Sequence, residues 1–437
     1  MNSFREKGNV DRTVILMSKK ESFNLFYSMV YLSSYRWSML DFPRSEYTRR
    51  FDRARTLMAE QNLDAIVVSN IENVAYLAGS CSFDNSWAMS FWHPIAYPSI
   101  AIITKMDGPV LIAHDVFMNV LQQAGAIETV RSYYEKGRDE VQDYVGLTVQ
   151  TLKDLRVSKG RLGIELGSGY TTDPKIGMPL KSFLAIQKSL PDAKFVDGSE
   201  ILRTLRMIKS KHEIEYIRKA TEAVDKTFQI CFEAIKSGLS ETEVASISNR
   251  IISEQGARPV WTLAICSPLG IYSPRPNVKL EKGKLLFLDL GATYAGYHTD
   301  FNRMAVVGEA SEDQRKTCAN IAKITRATVE AVKPGIRACD LVDICKSQYR
   351  IVGVNPPPGP SGYGPHRKIG HGIGLTLSEA PQITTYEKTV LEPGMTFCIE
   401  PPITTTEGFY VTEQVVAVTD DGYEILSKAN DQLYEIK

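Results

Sequence analysis

No two cysteines of this sequence form a CxxC pair, and the seven present (Cys81, Cys231, Cys266, Cys318, Cys339, Cys345 and Cys398) are an odd number. This pattern argues against a complete disulfide framework and for reduced thiols in a cytoplasmic protein. A net charge is also missing. Lysine plus arginine and aspartate plus glutamate both total 51, so no global field draws the chain to nucleic acid or to an anionic membrane. Long apolar runs are absent too. The nearest, Phe23 to Leu32, carries Asn24 and Ser28, is too short to span a bilayer and lacks an A-x-A cleavage pattern, so no export signal is read. A soluble chain of 437 residues remains, longer than one hydrophobic core usually organises, and two domains are expected.

Regular patterning starts at about Ser45, where EYTRRFDRARTLMAEQ takes helical spacing and leads into the strand-like DAIVVSN. Residues 1–44 read as an N-terminal extension: either an oligomer arm or the result of a misassigned start, with Met39 as the true first residue. The runs SIAIITK, PVLIAH, RLGIEL and AKFVDG, separated by helical stretches such as VQDYVGLTVQTLKDL, form an α/β alternation that fills residues 45–198. Beyond it, Ser210 with Glu213, Ser240 with Glu243 and Ser311 with Gln314 have capping-box spacing before apolar periodic runs, which predicts three helix starts. With the strand runs KLLFLDLG, YHTDFNRMAVV, MTFCIEPPI and YVTEQVVAVT, residues 199–437 read as antiparallel sheet covered by helices, an α+β layer.

Two segments concentrate carboxylates. In LDLGATYAGYHTDFNR, a simple hairpin centred between Tyr294 and Ala295 sets Asp289 opposite Asp300, about 5 Å away on one face. In CIEPPITTTEGFYVTEQ, a hairpin centred between Thr406 and Glu407 sets Glu400 opposite Glu413. Like charges at about 4 Å repel by roughly 4 kcal/mol at an effective dielectric of 20, so such a cluster calls for protons or cations. Between the hairpins, KIGHGIGLTLSEAP places His371 in a glycine-rich loop, where its imidazole offers a nitrogen donor. Oxygen donors with one nitrogen favour Mn, Fe or Co, with Zn possible, over a soft-metal site. Taken singly, each residue has a plainer structural reading: Asp289 as a turn aspartate, His371 as a hydrogen-bonded loop residue, Glu400 and Glu413 as edge charges.

Together, their order, spacing and flanking residues resemble the pita-bread metallohydrolases: creatinase, prolidase, aminopeptidase P and methionine aminopeptidase. The resemblance runs from about Ser45 to the C-terminus. It includes RARTLMAEQNLDAIVVSNIENVAYLAG, similar to the opening of the creatinase/prolidase N-terminal domain, and LRMIKSKHEIEYIRKA, similar to the entry to the catalytic domain. It implies a pita-bread catalytic domain behind an α/β N-terminal domain, and a homodimer. It also implies two divalent metal ions, Mn first among them, held by Asp289, Asp300, His371, Glu400 and Glu413. The implied activity is attack of a metal-bridged hydroxide on the amide carbonyl of a short peptide, as in Xaa-Pro dipeptidases and aminopeptidases, with Glu400 as acid/base and His371 as the other catalytic residue. A creatinase- or ectoine-hydrolase-like enzyme or a lyase, acting on a small non-peptide substrate, is the alternative within enzymes. A non-catalytic pita-bread binding protein is the alternative of another class; the intact set of five residues argues against it.

Three positions depart from the proline-peptidase pattern: Tyr272 and Ser378 stand where histidines are usual, and Val411 where arginine is common. Tyrosine and serine can still hydrogen-bond a substrate, whereas valine cannot. His366 lies five residues before His371 and is a further substrate-binding candidate, with Tyr272 and Ser378. Trp92 and His93, in the aromatic segment CSFDNSWAMSFWHPIAYP, are candidates for a wall or lid.

Overall fold

The computed structural model describes residues 42–79, 98–115, 121, 125–133, 135–136, 140–141, 144–167, 178–266, 273–355, 367–406 and 408–437. The expected N-terminal extension lies outside them, apart from its last residues.

The patterned helix is α1 (Arg44–Glu60), followed by β1 (Ala65–Val68), α2 (Ile71–Ala78), β2 (Ile100–Thr104), β3 (Val110–His114) and β4 (Thr129–Tyr133). A small ribbon of β5 (Glu135–Lys136) and β6 (Glu140–Val141) precedes α3 (Tyr144–Asp154), β7 (Arg161–Ile164), α4 (Leu180–Ser189), β8 (Lys194–Asp197) and α5 (Ser199–Met207). Six strands form one mixed sheet in the order β4-β3-β2-β1-β7-β8. The central strand β1 is buried along its whole length, which accounts for its unbroken apolar run AIVV.

The second half comprises α6 (Lys211–Ala234), α7 (Glu241–Glu254), β9 (Arg258–Ile265), β10 (Leu285–Tyr294), β11 (Tyr297–Val307), α8 (Glu312–Val329) and α9 (Ala338–Ile351). These are followed by β12 (Lys368–Gly372), β13 (Glu379–Thr384), β14 (Thr396–Ile399), β15 (Pro402–Thr404), β16 (Phe409–Val411), β17 (Gln414–Val418), β18 (Tyr423–Ile425) and β19 (Tyr434–Ile436). Two sheets carry it, ordered β19-β11-β10-β9 and β13-β12-β14-β17-β18, with β15 and β16 as a separate ribbon. All pairings in these sheets are antiparallel except β11 with β19.

All three expected capping boxes form. Ser210, Ser240 and Ser311 each accept the backbone N–H three residues on, while Glu213, Glu243 and Gln314 reach back to the cap backbone. Along α6, Ile217, Ala220, Val224, Phe228 and Cys231 recur at three- and four-residue intervals and are buried. Glu213 also ties the halves of the chain together. Its carboxylate accepts from Tyr297 Oη at 3.0 Å and lies 3.4 Å from Nη2 of the fully buried Arg50 on α1.

Strand periodicity decides which residues meet between the sheets. On β10, Leu286, Leu288 and Leu290 join the core shared with α6, so Leu285, Phe287 and Asp289 take the opposite face. On β14, Phe397 and Ile399 join the core under α8 and α9, so Cys398 points the other way.

The β10–β11 hairpin corrects one expectation. Tyr294 pairs with Tyr297, which sets Asp289 opposite Asn302 and Asp300 opposite Gly291. The turn is the two-residue Ala295–Gly296, both at positive φ (47° and 85°), as a type I′ connection requires. The resulting pairing differs from the expected one by two residues. Because strand faces repeat every two residues, Asp289 and Asp300 still share a face, as diagonal rather than direct neighbours. The other register matches the expectation: Ile399 with Gln414 and Pro402 with Val411 bracket Glu400 and Glu413 at the opposed positions.

Candidate metal centre

His371 does not sit on a loop, as its glycine-rich surroundings led us to expect. It lies in β12 between two partners, paired with Gln382 of β13 and Cys398 of β14. Gly370 permits this, since a Cβ there would stand 1.9 Å from the carbonyl oxygen of Cys398. His371 Nδ1 is 3.0 Å from the carbonyl oxygen of Gly372. A carbonyl can only accept, so Nδ1 carries the proton and Nε2 is left with its lone pair. Nε2 lies 3.8 Å from Asp300 Oδ2 and 3.7 Å from Glu400 Oε1.

The carboxylates converge around that nitrogen, Asp289 and Asp300 from within β10 and β11, Glu400 just after β14 and Glu413 just before β17. Asp300 and Glu413 are buried, and neither Asp289 Oδ1, Asp300 Oδ1 nor Glu413 Oε1 has a hydrogen-bond partner among the described residues. Burial raises the Asp289 carboxyl to about 6 even though Trp261 opposes the rise, its indole Nε1 donating to Asp289 Oδ2 at 3.0 Å. Burial, reinforced by Asp289 and Glu400, holds Asp300 well above the usual carboxylate range. Glu413 is raised in the same way by burial and by Glu400 and Asp300. Burial also depresses the His371 imidazole to about 3, with a smaller contribution from the nearby Lys368 cation. Without cations Asp300 and Glu413 therefore hold their protons more firmly than ordinary carboxyls, while His371 Nε2 carries none. Orphaned carboxylate oxygens around an unprotonated imidazole nitrogen fit a divalent ion.

The backbone around Glu413 is anchored from several sides. The buried Arg303 donates to the Glu413 carbonyl at 2.7 Å, and Thr325 of α8 donates to the Thr412 carbonyl at 2.8 Å. Glu400 N–H donates to Ile369 O at 2.8 Å, fixing the start of the Pro401–Pro402 segment beside β12. Asn302 of β11 ties its sheet to the β15–β16 ribbon, its Nδ2 donating to Val411 O at 3.0 Å, and Cys398 ties the two sheets, its Sγ donating to Asp300 O at 3.0 Å.

Of the outer candidates, Ser378 is half-buried, with Gln382 Nε2 3.5 Å from its hydroxyl. Val411 is buried, and its carbonyl is engaged by Asn302. Tyr272, His366, Trp92 and His93 lie outside the described residues. Sequence reasoning missed three other contributors. Cys398 carried a signal, standing two residues before Glu400 and hence on its strand face. Trp261 and Lys368 carried none, because only the pairing of β9 with β10 and the path of β12 bring them near. At the start of β13, Glu379 lies between Arg206 Nη2 at 2.5 Å and Lys209 Nζ at 2.8 Å, all three buried. Burial acts to raise Glu379, yet the two cations prevail and hold it at about 2.

Comparison with known proteins places these features in context. A family model described as metallopeptidase family M24 matches residues 215–422, and one described as the creatinase/prolidase N-terminal domain matches residues 50–208. The chain is 28% identical to an Xaa-Pro dipeptidase of Pyrococcus furiosus over 88% of this chain and 99% of that protein. It is 32% identical to an Xaa-Pro dipeptidase of Pyrococcus horikoshii over 57% of this chain and 70% of that protein. The crystal structure of the prolidase from Pyrococcus horikoshii OT3 superposes with a TM-score of 0.68 at 26% identity, covering 87% of this chain and 99% of that one.

Proposed function

The chain belongs to metallopeptidase family M24 and carries the N-terminal domain of the creatinases and prolidases; from that premise we propose that it hydrolyses short Xaa-Pro peptides, dipeptides first. One observation supports the chemistry above the rest: an unprotonated His371 nitrogen facing buried carboxylates. The substrate class comes from relatives named Xaa-Pro dipeptidase, one of them matched over nearly its whole length.

In this reading Asp289, Asp300, His371, Glu400 and Glu413 hold two divalent ions, and their oxygen and nitrogen donors suit Mn, Co, Fe or Zn. Such ions, when bound, lower the pKa of water and polarise a carbonyl. Glu400 is the acid/base. Its side chain is 19% exposed, against 9% for Asp300 and 6% for His371, so it stands on the more open side of the cluster. From there it can take a proton from the attacking water and pass it to the departing amine nitrogen. His371 keeps its proton on Nδ1, against Gly372, and leaves Nε2 as a donor. Val411 presents no polar atom to a substrate, so the positioning of the peptide falls to other groups, with Ser378 a candidate.

The proposal includes an N-terminal domain over residues 45–198 and a catalytic domain over 199–437, a homodimer and a cytoplasmic location; the six described cysteines are all free, in keeping with the last. The test is turnover of Xaa-Pro dipeptides, longer Xaa-Pro peptides, creatine and ectoine by metal-loaded protein. Cleavage of the dipeptides is expected; reaction of the non-peptides alone would overturn the reading.

A further inference from the structure

The five residues of the candidate centre leave one neighbour unexplained. Cys398 is fully buried on β14, directly paired with His371 of β12. Paired residues on adjacent strands point to the same face, so sulfur and imidazole share the space between the sheets. His371, Cys398 and Glu413 each offer a donor atom, and the three atoms lie within 4.8 Å of one another. Two of the three residues carry an atom poised for an ion. Nε2 of His371 has its lone pair free because Nδ1 donates to Gly372, and Glu413 Oε1 is buried without a hydrogen-bond partner.

We propose that Cys398 is a ligand of this centre, its thiolate joining His371 and Glu413 on one thiophilic divalent ion, Zn2+ or Co2+. The proposal rests on the reading of the site as a metal centre and deepens it. Bonds of about 2.0–2.3 Å to nitrogen, oxygen and sulfur at tetrahedral angles put two ligand atoms roughly 3.5 Å apart, so donors within 4.8 Å of one another close on the ion by about 1 Å through side-chain rotation. On binding, the S–H bond that now points at the Asp300 carbonyl breaks and its proton passes to solvent. The sulfur electron pair forms the S–metal bond, with no change of oxidation state. Imidazole and carboxylate leave the choice of ion open, whereas a thiolate biases the site away from Mn2+.

The test is titration of the metal-free protein with Co2+, followed by its absorption. Visible ligand-field bands together with a near-ultraviolet sulfur-to-cobalt charge-transfer band are expected. C398S should lose the charge-transfer band, keep ligand-field bands, and bind Zn2+ at least roughly tenfold more weakly with little change for Mn2+. Ligand-field bands without charge transfer in the native protein would overturn the thiolate and leave the metal centre standing. Charge transfer that survives in C398S would assign it to another cysteine and equally overturn the proposal. Absence of any cobalt absorption would overturn the metal reading itself. Should C398S fail to fold, X-ray absorption at the zinc edge of the native protein decides, through the presence or absence of a sulfur neighbour at about 2.3 Å.

Discussion

The indole of Trp261 donates to Oδ2 of Asp289 at 3.0 Å, across the β9–β10 pairing that sets Trp261 opposite Gly291. A Cβ on residue 291 would lie 2.7 Å from Cβ of Trp261, so glycine there makes room for the base of that side chain. The bond fixes one oxygen of Asp289 and leaves Oδ1 for a cation. Trp261→Phe removes the donor and keeps the bulk. Metal affinity is expected to fall roughly 10- to 100-fold, as measured by calorimetric titration. Unchanged affinity would show that Asp289 does not depend on the indole.

Glu400→Gln preserves shape and removes the titrating oxygen. With metal bound, turnover of an Xaa-Pro dipeptide is expected to drop by about 10²–10⁴-fold, the usual worth of acid–base assistance. Metal content measured alongside separates lost chemistry from lost ions. Full turnover with metal retained would remove Glu400 from the role proposed for it.

The buried acids give metal binding a pH dependence of definite sign. Asp289, raised from 3.8 to about 6, binds protons more readily folded than unfolded. Its contribution to the stability of the metal-free protein is therefore full below about pH 4 and lost as pH rises through about 6. Asp300 and Glu413, also raised, extend the loss in the same direction. A divalent ion must displace these protons, so apparent metal affinity should rise with pH, and its gain in melting temperature should be larger at pH 8 than at pH 5. Calorimetry in buffers of differing ionisation enthalpy measures the proton release directly. Zero release near neutral pH would contradict the protonated cluster.

Glu379 lies between Arg206 and Lys209, pairing the strand beside His371 with the helix end at α5. Glu379→Gln leaves two buried cations without their counter-charge. A loss of about 3–5 kcal/mol in denaturant unfolding is expected, the usual cost of breaking a buried pair from one side. Arg206→Met combined with Glu379→Gln should cost less than the sum of the single changes. Strict additivity would show that Arg206 and Glu379 are not coupled.

Much of the architecture follows from local rules. Ser210, Ser240 and Ser311 announce their helices because the cap and its reciprocal residue lie three positions apart, within reach of any chain that begins to coil. The register that opposes Glu400 to Glu413 follows from hairpin symmetry alone. The β10–β11 hairpin did not, because Ala295 adopts positive φ, which glycine-based turn rules do not anticipate for alanine. His371 is in a strand rather than a loop because Gly370 admits a neighbouring backbone that lies almost thirty positions away in sequence.

The sequence by itself determined which residue types could serve this site: strand periodicity and short hairpins place Asp289 with Asp300 and Glu400 with Glu413, through contacts close in sequence. Only the tertiary structure decided what surrounds them. Trp261 reaches Asp289 across two strands, Cys398 lies beside His371 across 27 residues of sequence, and Arg303 holds the Glu413 carbonyl from the facing sheet. Such contacts depend on how two sheets stack, which is set by the packing of whole faces and leaves no local trace in the chain.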